Sequence, residues 1–359
     1  MKRVLVLTKY SQLGASSRMR TIQYIDYLKS QGFSIEVSSL YDDEYLKNLY
    51  SVGKRTGVVR CYLNRLKVLL QARQFDMLWV EKELFPYSPA VFERLLKLLS
   101  IPYVVDYDDA IFANYQYSRH RLVRLFLKNK IATVMRLSTH VVAGNKYLAE
   151  YAEASGAKRV TIVPAVIDAE KYQVSKKDSE KQLTIGWIGS PTTQIYLANI
   201  AKPIETVCKQ FNAKLAVMGA SHSIKDAFKS VELEIYPWSE DEEVAFVQSL
   251  DVGVMPLVDG PWEKGKCGFK LIQYMGCAVP VMASPVGVNE NIVLENNCGL
   301  LARSEQEWLD GMTSLLQSES LRQQYGQAGR VAVDNCFSAQ VQQKVLGHIW
   351  QETCDSQER

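Results

Sequence analysis

Short apolar runs alternate with amphipathic stretches along almost the whole chain, and this constrains the fold more than any other feature. RVLVLT (3–8), SIEVSSL (34–40), MLWVEK (77–82) and PYVVDY (102–107) read as strands, separated by helix-like stretches at 18–30, 59–73 and 89–99. Strands joined by helices of this length need parallel crossovers, so the expected product is an α/β, doubly wound sheet covered on both faces. A basic helix near 119–136, HVVAGN (140–145), a short helix at 146–154 and RVTIVPA (159–165) complete a first domain, 1–168. Residues 169–182 are polar, charged and without apolar periodicity, as an interdomain linker would be. The alternation restarts with LTIGWIGS (183–190) and runs to a second domain, 183–335, followed by a helical tail, 336–359, expected to pack back toward the N-terminal domain.

The 359 residues suit two such units of about 150–180 residues each. Hydrophobic residues at 47% and charged residues at 23% give the balance of a soluble globular protein. No apolar run reaches the roughly 18–20 residues needed to span a bilayer, and MKRVLVLTKY reads as a first buried strand rather than a signal peptide. Seven cysteines, an odd number with no metal-ligand spacing, fit a reducing cytoplasm. The four histidines show no metal-ligand spacing either. A net charge of +3 gives no reason to expect a nucleic-acid partner, yet two basic stretches contain no acid. One is 54–73, with Lys54, Arg55, Arg60, Arg65, Lys67 and Arg73; the other is 119–136, with Arg119, Arg121, Arg124, Lys128, Lys130 and Arg136.

Three segments carry candidate chemistry. SQLGASSRMR (11–20) follows the first strand, and Gly14 with Arg18 and Arg20 would aim backbone N–H groups and fixed charge at an anion. Such a turn also serves purely structural ends, and it lacks the GxGxxG spacing of a dinucleotide site. GWIGSPTT (186–193) occupies the equivalent place in the second domain, where Gly189 permits close approach and Ser190, Thr192 and Thr193 offer hydroxyls. In 262–293, Cys267, Gly268 and Phe269 lead to a helix at Lys270, whose unpaired N–H groups can cradle a diphosphate. Lys264, Lys266 and Lys270 would neutralise it, and Gln273 would point toward ribose hydroxyls. The alternative for that segment is a helix cap with solvated lysines.

FKLIQYMGCAVPVMASPVGVNE resembles the second-domain pattern of the retaining glycosyltransferase family 4, GWIGSP with Asp251 to Leu257 and Trp262 to Lys270 looks like one subgroup of it, and the likeness takes in the LGASSRMR loop, DYDDAIF and the succession at 141–168. The resemblance covers nearly the whole chain. It implies the GT-B fold, two Rossmann-like domains facing across a cleft, and transfer of a sugar from a nucleotide-diphosphate donor to a hydroxyl acceptor. The family's two acids are replaced by Gly265 and Gln273, with Glu263 an offset substitute, so Lys266 and Lys270 are expected to carry the phosphate charge.

On the acceptor side, Glu81, Glu83, Asp106, Asp108 and Asp109 fall at strand ends, and Glu83, Asp108 and Asp109 are the candidate catalytic groups. A helix cap or loop turn is the other explanation of that acidic cluster. The resemblance implies a metal-independent reaction without a cofactor, resting on stabilisation of the leaving diphosphate. The acceptor would be a lipid-linked or surface-glycan intermediate and the sugar a hexose or N-acetylhexosamine. Two other readings stand beside this one: a non-catalytic sugar-nucleotide-binding protein and a sugar-nucleotide epimerase on the same fold. Arg121, Arg124 and Lys128 beside Leu122, Leu125 and Phe126 point to an anionic membrane surface as a partner, unless the apolar side packs in the core.

Overall fold

The computed structural model describes residues 1–53, 57–176 and 181–355, so Lys54 and Arg55 of the first basic stretch lie outside the described residues. The chain divides into two compact units, Met1–Ala165 with Gln342–Arg359, and Val166–Val341. Each is built on one parallel six-stranded sheet.

In the first unit the strands are β1 (Lys2–Tyr10), β2 (Phe33–Tyr41), β3 (Met77–Glu81), β4 (Tyr103–Tyr107), β5 (His140–Ala143) and β6 (Val160–Ile162). They lie in the order β2-β1-β3-β4-β5-β6. Val4 to Leu7 and Met77 to Val80 are continuous runs of buried apolar side chains, because a central strand covered by helices on both faces needs no polar alternation. β1 leads outward to β2, and the chain then returns to β3 on the other side of β1. This reversal opens a crevice at the carboxyl ends of β1 and β3, where sheets of this kind bind ligands.

The second unit repeats the plan with β7 (Thr184–Ile188), β8 (Lys214–Met218), β9 (Leu233–Tyr236), β10 (Val252–Met255), β11 (Val281–Ala283) and β12 (Gly299–Leu301). Their order, β12-β11-β10-β7-β8-β9, puts the reversal between β7 and β10. Gly186 and Gly253 let neighbours close in: a Cβ on Gly186 would lie 2.2 Å from Leu250 Cδ1, and one on Gly253 would lie 2.4 Å from the Tyr274 ring.

Three sequence expectations need correction. The stretch 18–30 is not one helix but the short helix Ala15–Arg20, a 3₁₀ turn at Ile22–Tyr24 and the helix Ile25–Ser30. The basic stretch 119–136 is broken at Lys128–Asn129 into Arg121–Leu127 and Lys130–Leu137. The two pieces differ in what they bury: the first keeps only Leu127 inside, the second buries Ile131, Val134 and Met135. Residues 169–173 of the expected linker are packed onto the second unit, where Tyr172 is buried and the Arg330 guanidinium donates to the carbonyls of Ala169 and Tyr172.

The helix Ala339–Asp355 joins the first unit from Gln342 onward. Its Trp350 is buried edge-on against Phe33, with ring centroids 5.4 Å apart, and 5.6 Å from Trp79. Removing a fully packed indole costs about 3–5 kcal/mol. Trp350→Ala should therefore lower the unfolding free energy of the first unit by that amount and its urea midpoint with it, and an unchanged midpoint would remove the C-terminal helix from the core of the first unit.

Candidate functional site

At the carboxyl end of β7 the chain enters Gly189 and Ser190. The Gly189 N–H donates to the Met218 carbonyl at 3.0 Å, so the loop after β7 is tied to β8. A Cβ on Gly189 would lie 2.3 Å from the Trp187 ring and 3.0 Å from Lys270 Nζ. Gly219, at φ +79, faces the same loop, and a Cβ there would lie 2.3 Å from the Gly189 carbonyl oxygen. These two glycines are required by close backbone approach. Ser190 is drawn into a local turn: its N–H donates to Thr193 Oγ1 at 3.1 Å, and its hydroxyl lies 2.9 Å from Thr192 Oγ1.

Beside this floor stands the N-terminus of the helix Phe269–Gly276, entered through Gly268 at φ +68. No side chain caps it, so its first backbone N–H groups are left for another acceptor. Lys270 Nζ lies 4.4 Å from the centroid of Trp187, and Lys266 Nζ 4.8 Å from that of Trp262. Burial, and then repulsion from Lys266, lower Lys270 to about 7. Among the described residues no carboxylate pairs with Lys270, and the buried indole N–H of Trp187 has no acceptor. Gly189, Gly268, Phe269, Lys266 and Lys270 are thus brought together at the topological reversal of the second sheet. Uncapped N–H groups and cations at such a place make an anion site.

Gln273 and Glu263 are placed differently. The Gln273 amide is buried and donates to the Tyr172 hydroxyl at 2.8 Å, with Glu243 Oε2 at 3.5 Å. Glu243 is buried as well and accepts from Tyr172 Oη at 2.8 Å and from Trp238 Nε1 at 3.3 Å. This corrects the expectation that Gln273 faces a ribose: partners from the supposed linker and from another helix already take its amide. Glu263 accepts a 2.5 Å hydrogen bond from the Tyr196 hydroxyl. Lys264 pairs at 3.2 Å with Asp259. Sequence reasoning missed Tyr172, Glu243 and Tyr274, whose hydroxyl accepts from the Ile188 N–H at 3.1 Å and so fixes the end of β7 to the helix. The signal was the tyrosine one residue after Gln273, in a position otherwise open to any apolar side chain.

The first unit gathers charge at the ends of β1, β3 and β4. Lys82, in the left-handed region at φ +65, puts its ammonium 2.8 Å from Asp108 and 3.6 Å from Asp109. Burial would lower its pKa, but the Asp108 and Asp109 carboxylates outweigh burial and hold the amine charged. In turn, burial would raise Asp108, yet Lys82 and the Ser16 hydroxyl hold its carboxyl well below the usual range. Arg20 clamps Asp106 through Nε at 3.1 Å and an Nη at 2.6 Å. Glu81 accepts from Ser17 Oγ at 2.6 Å and from the Lys9 N–H at 2.9 Å.

Of the three candidate catalytic acids, Glu83 is buried, accepts from the Tyr115 hydroxyl at 2.8 Å and pairs with buried Lys130. Asp108 is committed to Lys82 and Ser16. Asp109 is the most exposed of the three. Gly14 is needed for close packing, since a Cβ would lie 2.4 Å from Tyr10 Cβ. Arg18 is buried, with its guanidinium donating to the Gln12 carbonyl at 3.1 Å, so it braces the loop that it was expected to arm.

Residues 182–318, within the second unit, match the family model described as Glycosyl transferases group 1. No curated protein matches the sequence. Among solved structures, sucrose-phosphate synthase from Thermosynechococcus elongatus is 11% identical, covers 99% of this chain and 100% of its own, and superposes with a TM-score of 0.73. HepE of Anabaena in complex with UDP-glucose is 12% identical over 98% of this chain and 100% of its own, with a TM-score of 0.71. WaaG, a glycosyltransferase involved in lipopolysaccharide biosynthesis, is 13% identical over 97% and 99%, with a TM-score of 0.69. The fold is of the GT-B class.

The amine of Lys270 generates a prediction. Between about 7 and the ordinary 10.5 the folded chain holds fewer protons than the unfolded chain, so this residue's contribution to stability rises with pH across that window. Isotope-labelled lysine NMR should show Lys270 titrating near 7 in the free protein, and higher once Lys266→Met removes the neighbouring charge. A midpoint at 10 or above in the wild type would show that the amine is solvated.

Proposed function

We propose that this protein is a retaining glycosyltransferase of family 4 that moves a hexosyl or N-acetylhexosaminyl group from a nucleotide-diphosphate donor to a hydroxyl of a lipid-linked or surface-glycan intermediate. The observation that carries the reading is the pair Lys266 and Lys270 beside the uncapped helix N-terminus at Gly268, at the end of β7. A diphosphate there supplies the counter-charge that Lys270 lacks. HepE, described in complex with UDP and with UDP-glucose, supports a nucleotide sugar as the anion.

In this reaction the acceptor oxygen forms a bond to the anomeric carbon on the face from which the nucleotide departs. The bond between that carbon and the phosphate oxygen breaks, and the electron pair stays on the diphosphate. Lys266, Lys270 and the N–H groups at the start of the Phe269–Gly276 helix stabilise that developing charge in place before the reaction begins. The acceptor proton passes to the departing phosphate oxygen. Neither metal nor cofactor is needed on this scheme. The enzyme works in the cytoplasm, peripherally on the membrane, where its lipid-linked acceptor resides. The Arg121–Leu127 helix supports that location: Leu122, Leu125 and Phe126 are exposed beside Arg121 and Lys128.

Lys266→Ala and Lys270→Ala should each weaken UDP binding by about 1.5–3 kcal/mol, the worth of a charge-assisted bond in a partly buried site. Calorimetry with UDP reads this directly, and unchanged affinity in both variants would move the donor elsewhere. Mass spectrometry after incubation with a UDP-sugar distinguishes transfer or hydrolysis, which release UDP, from epimerisation, which leaves the nucleotide sugar at constant mass, and from binding without turnover.

A further inference from the structure

Most of the exposed large apolar side chains of the first unit are grouped on three helices and the residues directly after them. On Val58–Leu69 and the residue after it, Val59, Leu63 and Leu70 are exposed, Leu70 at 86%. On Val91–Leu98 the outward residues are Val91, Leu95 and Leu98, spaced by four and three and therefore on one face. Arg121–Leu127 adds Leu122, Leu125 and Phe126, the last at 71%. The exposed large apolar residues on helices of the second unit, Ile195, Leu294 and Val331, stand singly on separate helices.

Two of these helices meet on the loop after β3, and the helix that directly follows the third is tied to the same loop. Tyr62 packs on Phe85 with centroids 5.3 Å apart and donates to the Pro86 carbonyl at 2.7 Å. Phe85 packs in turn on Phe92 of the second helix at 4.6 Å. Its carbonyl accepts from Lys130, which opens the helix directly after Arg121–Leu127.

The charges around these apolar side chains have one sign. Segments 57–73 and 117–136 contain no acid, and the single acid of 89–99, Glu93, is buried and accepts the Leu84 N–H. Two cations of the basic stretches are also turned inward: Arg65 donates to the Thr8 and Ser38 carbonyls, and Lys130 pairs with Glu83. The exposed cations of these segments are Arg60, Lys67, Arg73, Arg94, Lys97, Arg119, Arg121, Lys128 and Arg136.

We infer that these three helices together form a membrane-inserting face that seats the first unit on an anionic bilayer, with apolar side chains entering the lipid and cations meeting the headgroups. The inference rests on the lipid-surface reading above. It adds two helices to the contact and changes its character from electrostatic adsorption of one helix to insertion. A second copy of this chain is the poorer occupant, since a facing copy would bring Arg94 and Lys97 against cations.

The test uses the full chain and phosphatidylcholine vesicles with and without phosphatidylglycerol, with binding read by co-sedimentation. Wild-type protein should bind the anionic vesicles, and once bound should remain largely bound in about 1 M salt, where screening acts over about 3 Å. Leu95→Ser with Leu98→Ser, both on the solvent side of their helix, should lower partitioning by about a hundredfold or more, since two leucines no longer leave water. That variant should keep the wild-type thermal shift with UDP, which shows that it is folded. If the leucine variant binds as wild type does, or if about 1 M salt strips the protein, the three-helix face is wrong although a surface contact through Arg121–Leu127 stands. If the wild type ignores anionic vesicles altogether, the lipid-surface reading fails with it.

Discussion

The second unit is organised around a half-buried ammonium group, that of Lys270, with which no carboxylate pairs among the described residues. Lys270 sits against the face of Trp187, with another cation as its nearest charged neighbour, and burial takes its pKa down to about 7. A cation–π contact recovers part of the lost hydration, yet burying a charge without a carboxylate is costly. Several constraints follow from keeping it there. Gly189 and Gly219 must stay glycine so that the loops after β7 and β8 can close beneath it. The Tyr274 hydroxyl must hold the Ile188 N–H so that the end of β7 meets the helix carrying Lys270. Those arrangements make sense together if an anion completes the site.

The first unit makes the opposite use of charge. Lys82 with Asp108 and Asp109, Arg20 with Asp106, and Lys130 with Glu83 are closed pairs at strand ends. Buried pairs of this kind add little net stability, but losing one partner strands the other in a dry interior. They fix the geometry around the β1–β3 reversal, with Lys82 in the left-handed region at its centre. The group 1 glycosyltransferase match falls within the second unit, and the two sheets differ in the same sense: one leaves cations and N–H groups open to an anion, the other closes its strand ends with internal salt bridges.

The doubly wound character of both units was legible because buried parallel strands write themselves as uninterrupted apolar runs, as in Val4–Leu7. The phosphate side of the candidate site was legible for a related reason: glycine, lysine and a helix start stand within a few residues of one another at 264–270. Gln273 was misplaced because its partners, Tyr172 and Glu243, are 101 and 30 residues away along the chain. Local spacing carries no information about such partners. The acids at 106–109 read alike in sequence, and only the position of Lys82, set by the β3–β4 pairing, separates a clamped Asp108 from a more open Asp109. The stretch 119–136 has a continuous helical period, so the break at Lys128–Asn129, which lets one half expose the apolar residues that a core helix would bury, was invisible there.

The central claim is that one end of the second sheet receives a nucleoside diphosphate. Hydrogen exchange with and without saturating UDP tests it most directly, because it reports on backbone N–H groups rather than on any one side chain. The account predicts slowed exchange at Gly189–Ser190 and at Gly268–Lys270, with the ends of β1 and β3 in the first unit unaffected by the nucleotide alone. Slowed exchange confined to the first unit, or none at Gly268–Lys270 under saturating UDP, would contradict it.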